Sequence, residues 1–172
     1  MKKNLLIGLS LFLLTSCSND IIPVQPIGND NTVQQSANKK YSNFKSDLFM
    51  AQSKARSWDI SSNLVKAESR WVSEDGMANW TFYFKSPFKN KALRVDMGFA
   101  NEVTDFFFGR EIREFDIRVD VDKAIELAKK QGLKRFPISE MNLEKRSINT
   151  EWEIRNSDGL FRINAESFSD KK

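Results

Sequence analysis

Trp80-Thr81-Phe82-Tyr83-Phe84 and Trp152-Glu153-Ile154-Arg155 are two segments that open on tryptophan and then alternate in character. Alternation with a period of two is the pattern of a β-strand with one buried face. Upstream of the first segment, Asp47, Ala51 and Ala55 are spaced four and four; upstream of the second, so are Asp120, Ala124 and Ala128. Downstream, Ala92-Leu93-Arg94-Val95-Asp96 in the first half matches Leu160-Phe161-Arg162-Ile163-Asn164 in the second. These features recur in one order, so the chain reads as a unit written twice, over about 44–98 and 115–167.

Each unit begins with a helix. Phe44, Leu48, Ala51, Ala55 and Trp58 recur at helical spacing along one face. In the second unit, Asp120 suits an N-cap, with Val121, Ala124, Ile125 and Ala128 facing inward. Lys129 and Lys130 complement the negative end of that helix, and Gly132 suits the stop beyond it. Small alanines along a buried stripe let a helix lie close to a sheet. Three strands are predicted after each helix, at about 63–72, 79–85 and 91–97, then at about 139–146, 151–156 and 160–166. Asp75-Gly76 and Asp158-Gly159 mark two of the connections as tight turns. Phe115, Ile117 and Val119 alternate with charged residues and predict a further strand leading into the second helix. The expected fold class is α+β: two tandem helix-plus-antiparallel-meander repeats, each helix packed on its own three- or four-stranded sheet.

Ala51, Ala55, Trp80 and Val95-Asp96 in the first unit, with Ala124, Ala128, Trp152 and Ile163-Asn164 in the second, carry a family resemblance. A helix with Ala-x-x-x-Ala, a central strand opening on Trp and a last strand ending in a Val-Asp-like pair resemble the PepSY and PepSY-like domains of bacterial envelope proteins. The sequence departs from that pattern at Asn164, where the family has aspartate, and it lacks the Asp-x-x-Thr/Ser-Gly ending. The resemblance implies a non-enzymatic envelope module, in some relatives an inhibitor or chaperone of peptidases. The small lipoproteins of the outer-membrane barrel-assembly machinery share the helix-then-meander layout, but their glycine-rich helix entry is absent here.

The amino terminus reads as an address. Lys2 and Lys3 precede an apolar run over 5–14, interrupted only by Gly8 and Ser10. Ten helical residues rise about 15 Å, roughly half the hydrocarbon core of a bilayer, so the run is a secretory signal rather than a membrane span. It ends at Leu14-Thr15-Ser16-Cys17, which resembles the bacterial lipobox. That resemblance implies a signal peptide over 1–16, its removal before Cys17, and diacylglycerol on the Cys17 thiol, often with acylation of the new amino terminus. Two or three acyl chains anchor stably where one does not. Ser18 follows in place of aspartate, which by resemblance to enterobacterial sorting favours the periplasmic face of the outer membrane in a Gram-negative host. Residues 17–40 are rich in Asn, Gln, Ser and Pro without periodicity, the composition of a flexible tether. A domain over 41–172 follows.

Composition removes several kinds of chemistry. Histidine is absent from the 172 residues and Cys17 is the single cysteine. A Ser-His-Asp triad, a Cys-His pair, most zinc sites and an internal disulfide are therefore excluded. Lys2 and Lys3 are two of the 27 basic residues, so the processed chain carries 25 against 23 acidic ones, too balanced for an electrostatic nucleic-acid binder. Ser53-Lys54 and Lys45-Ser46 are adjacent on a helix and point apart, the geometry of surface positions rather than of a Ser-Lys pair. Glu74-Asp75 falls in a turn and Asp120/Asp122 begin a helix, where acids are expected without any catalytic role. No metal site, calcium loop or phosphate-cradling loop is recognisable, and no cofactor is expected.

Fourteen phenylalanines exceed what a modest core requires. Phe82, Phe84, Phe115 and Phe161 are expected in the core from strand alternation. Phe106, Phe107 and Phe108 are consecutive and cannot all face one side of a strand. They form either a buried connection between the two units or a binding patch that meets a partner or the membrane. The expected function is that of a lipid-anchored envelope protein, not an enzyme, whose α+β module binds a protein or peptide along a free sheet edge. The alternatives are a structural or assembly lipoprotein of an envelope complex and a carboxylate-based hydrolase.

Overall fold

A computed structural model describes residues 42–104 and 109–167. Cys17, the 17–40 tether and the Phe106–Phe108 run lie outside the described residues. Helix α1 (Phe44–Trp58) is followed by strands β1 (Asn63–Val72), β2 (Asn79–Lys85), β3 (Lys91–Asp96) and β4 (Phe99–Thr104). Helix α2 (Val121–Lys130) is followed by β5 (Ile138–Arg146), β6 (Asn149–Asn156) and β7 (Gly159–Asn164). The class is α+β, as the patterning predicts.

The expected separate sheet under each helix is not what forms. All seven strands make one antiparallel sheet in the order β4-β3-β2-β1-β5-β6-β7. The seam is β1 against β5, with Ala67 opposite Leu143 and Ser69 opposite Met141. Each is the first strand of its own meander, so each would otherwise present a long unpaired edge. Pairing them satisfies both rows of backbone donors and acceptors at once.

Helix α1 buries the predicted face, Phe44, Leu48, Ala51 and Ala55, while Trp58 is only partly covered. Asp120 caps α2 through its Oδ1, which accepts from the Val121 N–H at 2.8 Å. The helix ends in a Schellman arrangement: Leu133 N–H donates to the Ala128 carbonyl at 3.0 Å and Gly132 N–H to Lys129 at 3.1 Å. Gly132 sits at φ 113, a conformation open to glycine at little cost. Both helices cover the same face of the sheet. Phe44 of α1 is wholly buried between Trp80 and Trp152, with ring centroids at 4.9 and 5.0 Å, and those two indoles lie 5.9 Å apart. The two segments that open on tryptophan thus meet on one phenylalanine at the centre of the core.

The two indoles differ in one respect. Trp152 Nε1–H donates to the Val119 carbonyl at 2.7 Å, whereas the buried Trp80 Nε1–H has no partner. Trp152→Phe leaves a buried carbonyl without its donor, but Trp80→Phe also removes an unsatisfied group. Trp152→Phe is therefore expected to be the more destabilising by roughly 1–2 kcal/mol. Urea denaturation of the two variants side by side checks this; equal midpoints would mean the Val119 bond contributes nothing.

The segment entering α2 departs from expectation. Residues 115–119 do not form a strand; Glu114–Asp116 is a single 3-10 turn. The inward residue is Asp116, not Phe115. The Asp116 carboxylate accepts from the Arg113 N–H at 3.1 Å and pairs with Lys145 at 2.9 Å. Phe115 is thereby turned outward, 62% exposed, beneath the Arg113 guanidinium at 4.5 Å. A buried carboxylate with two partners outweighed the apolar period. Strand β4 was also not anticipated. It follows a two-residue turn, Met97-Gly98, in which both residues have positive φ, 45° and 82°. That is the backbone of a type I′ hairpin. Gly98 ahead of Phe99 and Val103 was the available signal.

Candidate functional site

Two surfaces of the described residues are neither core nor ordinary solvated face. The first is the β4 end of the sheet. Among the described residues β4 is paired only to β3, from Phe99 opposite Asp96 to Thr104 opposite Lys91. Every β4 residue except the half-buried Val103 is exposed, and Phe99 is 74% exposed. Beside the turn that leads into β4, a cleft of about 400 Å³ opens between α1 and strands β2 and β3. Asp47, Met50, Ala51, Trp80, Met97 and Gly98 are among its walls.

Asn43 holds the cleft's upper end. Its Nδ2 donates to Asp47 Oδ2 at 2.7 Å and to the Ala78 carbonyl at 2.8 Å, while its Oδ1 accepts from the Ala78 N–H at 3.1 Å. This ties the start of α1 to the entry of β2. Burial pushes the Asp47 carboxyl above the usual aspartate range, against a smaller opposing hydrogen bond from Ser46. The cleft therefore offers an apolar wall, a buried indole N–H and one weakened acid beside a strand that, among the described residues, is paired on one side only.

The second surface is the sheet face turned away from the helices. Register places Asp96, Thr81, Glu68, Asn142, Glu153 and Arg162 directly opposite one another in one row across six strands. The row is polar because each position is the solvent-side partner of a core residue in the same strand. Glu153 collects Arg146 at 3.0 Å, Arg155 at 3.1 Å and Arg162 at 3.4 Å. Burial alone would raise its pKa, but the three guanidiniums hold it below the usual glutamate range. Glu68 is held low in the same way, against burial, by Lys66 at 2.6 Å and the Tyr83 hydroxyl at 2.8 Å. Burial and that hydrogen bond push the Tyr83 phenol up to about 12.

The side chains considered for chemistry go elsewhere. Lys45 pairs with Asp120 at 2.8 Å, and Ser46 Oγ donates to the Asn43 carbonyl at 2.8 Å. Ser53 is exposed on α1, its carbonyl accepting from Ser57 Oγ at 3.0 Å. Glu74 pairs with Lys129, and Asp75 accepts from the Ser73 hydroxyl. None of these pairs is brought together in a cavity. Among the described residues no group of three or more His, Cys, Asp or Glu is close enough to hold a metal ion. Within the same residues no helix is long and apolar enough to cross a membrane. The Met97, Phe99 and Trp71 side chains that mark the two surfaces were not singled out by sequence, since an isolated apolar residue in a strand or turn looks like core. No protein-family model, curated protein or solved structure matches this chain.

Proposed function

We propose that the protein is a bacterial envelope lipoprotein, anchored through Cys17, whose tandem PepSY-like module binds another protein or a peptide without performing chemistry. The lipobox-like Leu14-Thr15-Ser16-Cys17 behind a short apolar run supports the anchor, and Ser18 favours the periplasmic face of the outer membrane. Ala51 and Ala55 on α1, and Ala124 and Ala128 on α2, are all buried, as are Trp80 near the start of β2 and Trp152 midway along β6, each the middle strand of its meander; these correspondences support the duplication.

The observation that carries the binding role is the β4 edge. Six residues of strand, five of them exposed, stand beside an apolar cleft. An unpaired edge is a template for an extended chain, whose backbone supplies hydrogen bonds while alternate side chains find pockets. A peptide aligned on β4 would lay side chains along Phe99 and toward Met50 and Met97.

Two experiments test the two parts. Cys17→Ser is expected to abolish lipid labelling and move the protein out of the membrane fraction; retention there would overturn the anchor. A photoreactive residue at Asn101 on β4, activated in intact cells, is expected to give one recurrent protein adduct. A control at Ile60, exposed and outside the strands, is expected to give none. Equal labelling from both positions would remove the β4 edge as the binding surface.

A further inference from the structure

The sheet face opposite the helices contains a cavity of about 510 Å³, within the roughly 300–1,000 Å³ range of small-ligand sites. Two polar atoms in its walls are buried and unpartnered, Asn142 Oδ1 and Arg94 Nε. Asn142 is only 8% exposed. Its amide orientation is set by Glu140, whose Oε1 accepts from Nδ2 at 3.0 Å, so a flipped amide would put two oxygens together. The Oδ1 is thus an acceptor awaiting a donor. Arg94 directs its Nη2 to Asp96 at 2.8 Å, which leaves Nε–H a donor awaiting an acceptor. Buried groups of this kind are costly unless something satisfies them.

The third feature is Trp71. It sits at φ 58, a left-handed backbone state unfavourable for a residue with a Cβ, and its indole is 70% exposed. That conformation carries the indole out to the cavity wall while Val72, the next residue, is wholly buried. Strain of this sort persists where the surrounding structure demands it.

The charges select the ligand class. Asp96 is paired with Arg94 at 2.8 Å, Glu68 with Lys66 at 2.6 Å and Glu140 with Arg155 at 3.9 Å. A cation would have to displace one of these partners; an anion could turn to Arg70, the other guanidinium in the wall, but would lie among the carboxylates of Glu68, Asp96 and Glu140. A neutral one has only to supply groups that both donate and accept, together with an apolar face for the indole. Hydroxyl groups on a ring with an exposed C–H face meet both conditions.

We propose that this cavity binds a neutral short saccharide, with a ring face on Trp71, a hydroxyl donating to Asn142 Oδ1 and another oxygen accepting from Arg94 Nε. The site lies on the other face of the sheet from the α1 cleft, and the two share only Asn79 and Met97 in their walls.

Isothermal titration calorimetry tests this on the full chain, in a detergent without a sugar headgroup. The probes are maltotriose, cellotriose and the trimer of N-acetylglucosamine, with inorganic phosphate and spermidine as charged controls. At least one trisaccharide is expected to give saturable heat, and both charged probes none. Trp71→Ala and Asn142→Leu are each expected to weaken that binding about tenfold or more. Trp71 is exposed, so its variant decides the matter even where Asn142→Leu fails to fold. Saturable heat from a charged probe alone, no heat from any trisaccharide, or affinity unchanged in Trp71→Ala would overturn the proposal.

Discussion

Phe44→Ala is expected to lower the unfolding free energy by about 3–5 kcal/mol, the range for removing a wholly buried phenylalanine. Domains of this size have about 5–15 kcal/mol in all, so the variant is expected to lie near the edge of folding at physiological temperature. The site is demanding because Phe44 is packed against rings of both β2 and β6, the middle strands of the two meanders. It meets Trp80 and Phe82 on β2 and Trp152 on β6, with centroids between 4.9 and 5.7 Å. Three rings packed around one, two of them edge-on and one tilted, cannot close over a void by small shifts, so most of the cavity remains. Phe49, one turn along the same helix but 74% exposed, is the control. Its alanine variant is expected to change stability by less than about 0.5 kcal/mol. Urea denaturation of both variants decides the point: similar shifts would mean that the aromatic cluster does not organise the core.

Asp116→Asn is expected to cost roughly 2–3 kcal/mol near neutral pH and to remove part of the protein's sensitivity to acid. The carboxylate is nearly buried and faces Lys145 at 2.9 Å, itself largely covered. Burial by itself would raise the Asp116 pKa; the Lys145 ammonium, the Arg113 N–H and both positive charges outweigh it and hold the pKa below the usual aspartate range. A folded-state pKa below the unfolded one stabilises the fold at every pH above the ordinary aspartate value of about 3.9. That contribution fades as pH falls below that value and through the folded pKa. The variant's cost is below the about 3–5 kcal/mol of a fully isolated buried charge because Lys145 keeps Glu166 within 3.9 Å. Denaturation midpoints at pH 7 and pH 3 are the measurement. The gap between native protein and Asp116→Asn is expected to narrow at the lower pH. A gap that is constant across that interval would show that the carboxylate's charge is not what matters.

Most of the element layout was legible because its signals are local. The α1 face from Phe44 to Ala55, the Asp120 cap and the 79–85 strand each depend on residues within two or three turns of one another, and the structure has them where the periodicity put them. Reading failed where a distant partner decided the outcome. Phe115 alternates with its neighbours as a buried strand residue would, yet Lys145, far along the chain, draws Asp116 inward and rotates the ring out. Nothing in the local pattern marks Trp71 as exposed; its positive φ and 70% exposure emerge only in the folded chain. The cavity on the open face was invisible for the same reason: Arg94, Trp71 and Asn142 belong to three strands, and register alone brings them to one hollow.

By itself, then, the sequence determined the α+β class, the two helices with their buried stripes and caps, and six of the seven strands, since each follows from propensity, period and turn chemistry acting over a few residues. It also excluded histidine- and disulfide-based chemistry by composition. Only the tertiary structure decided that the strands make one sheet rather than two. The β1–β5 pairing joins backbone groups that carry no side-chain signature, and its advantage arises only once both meanders exist with unpaired edges to satisfy.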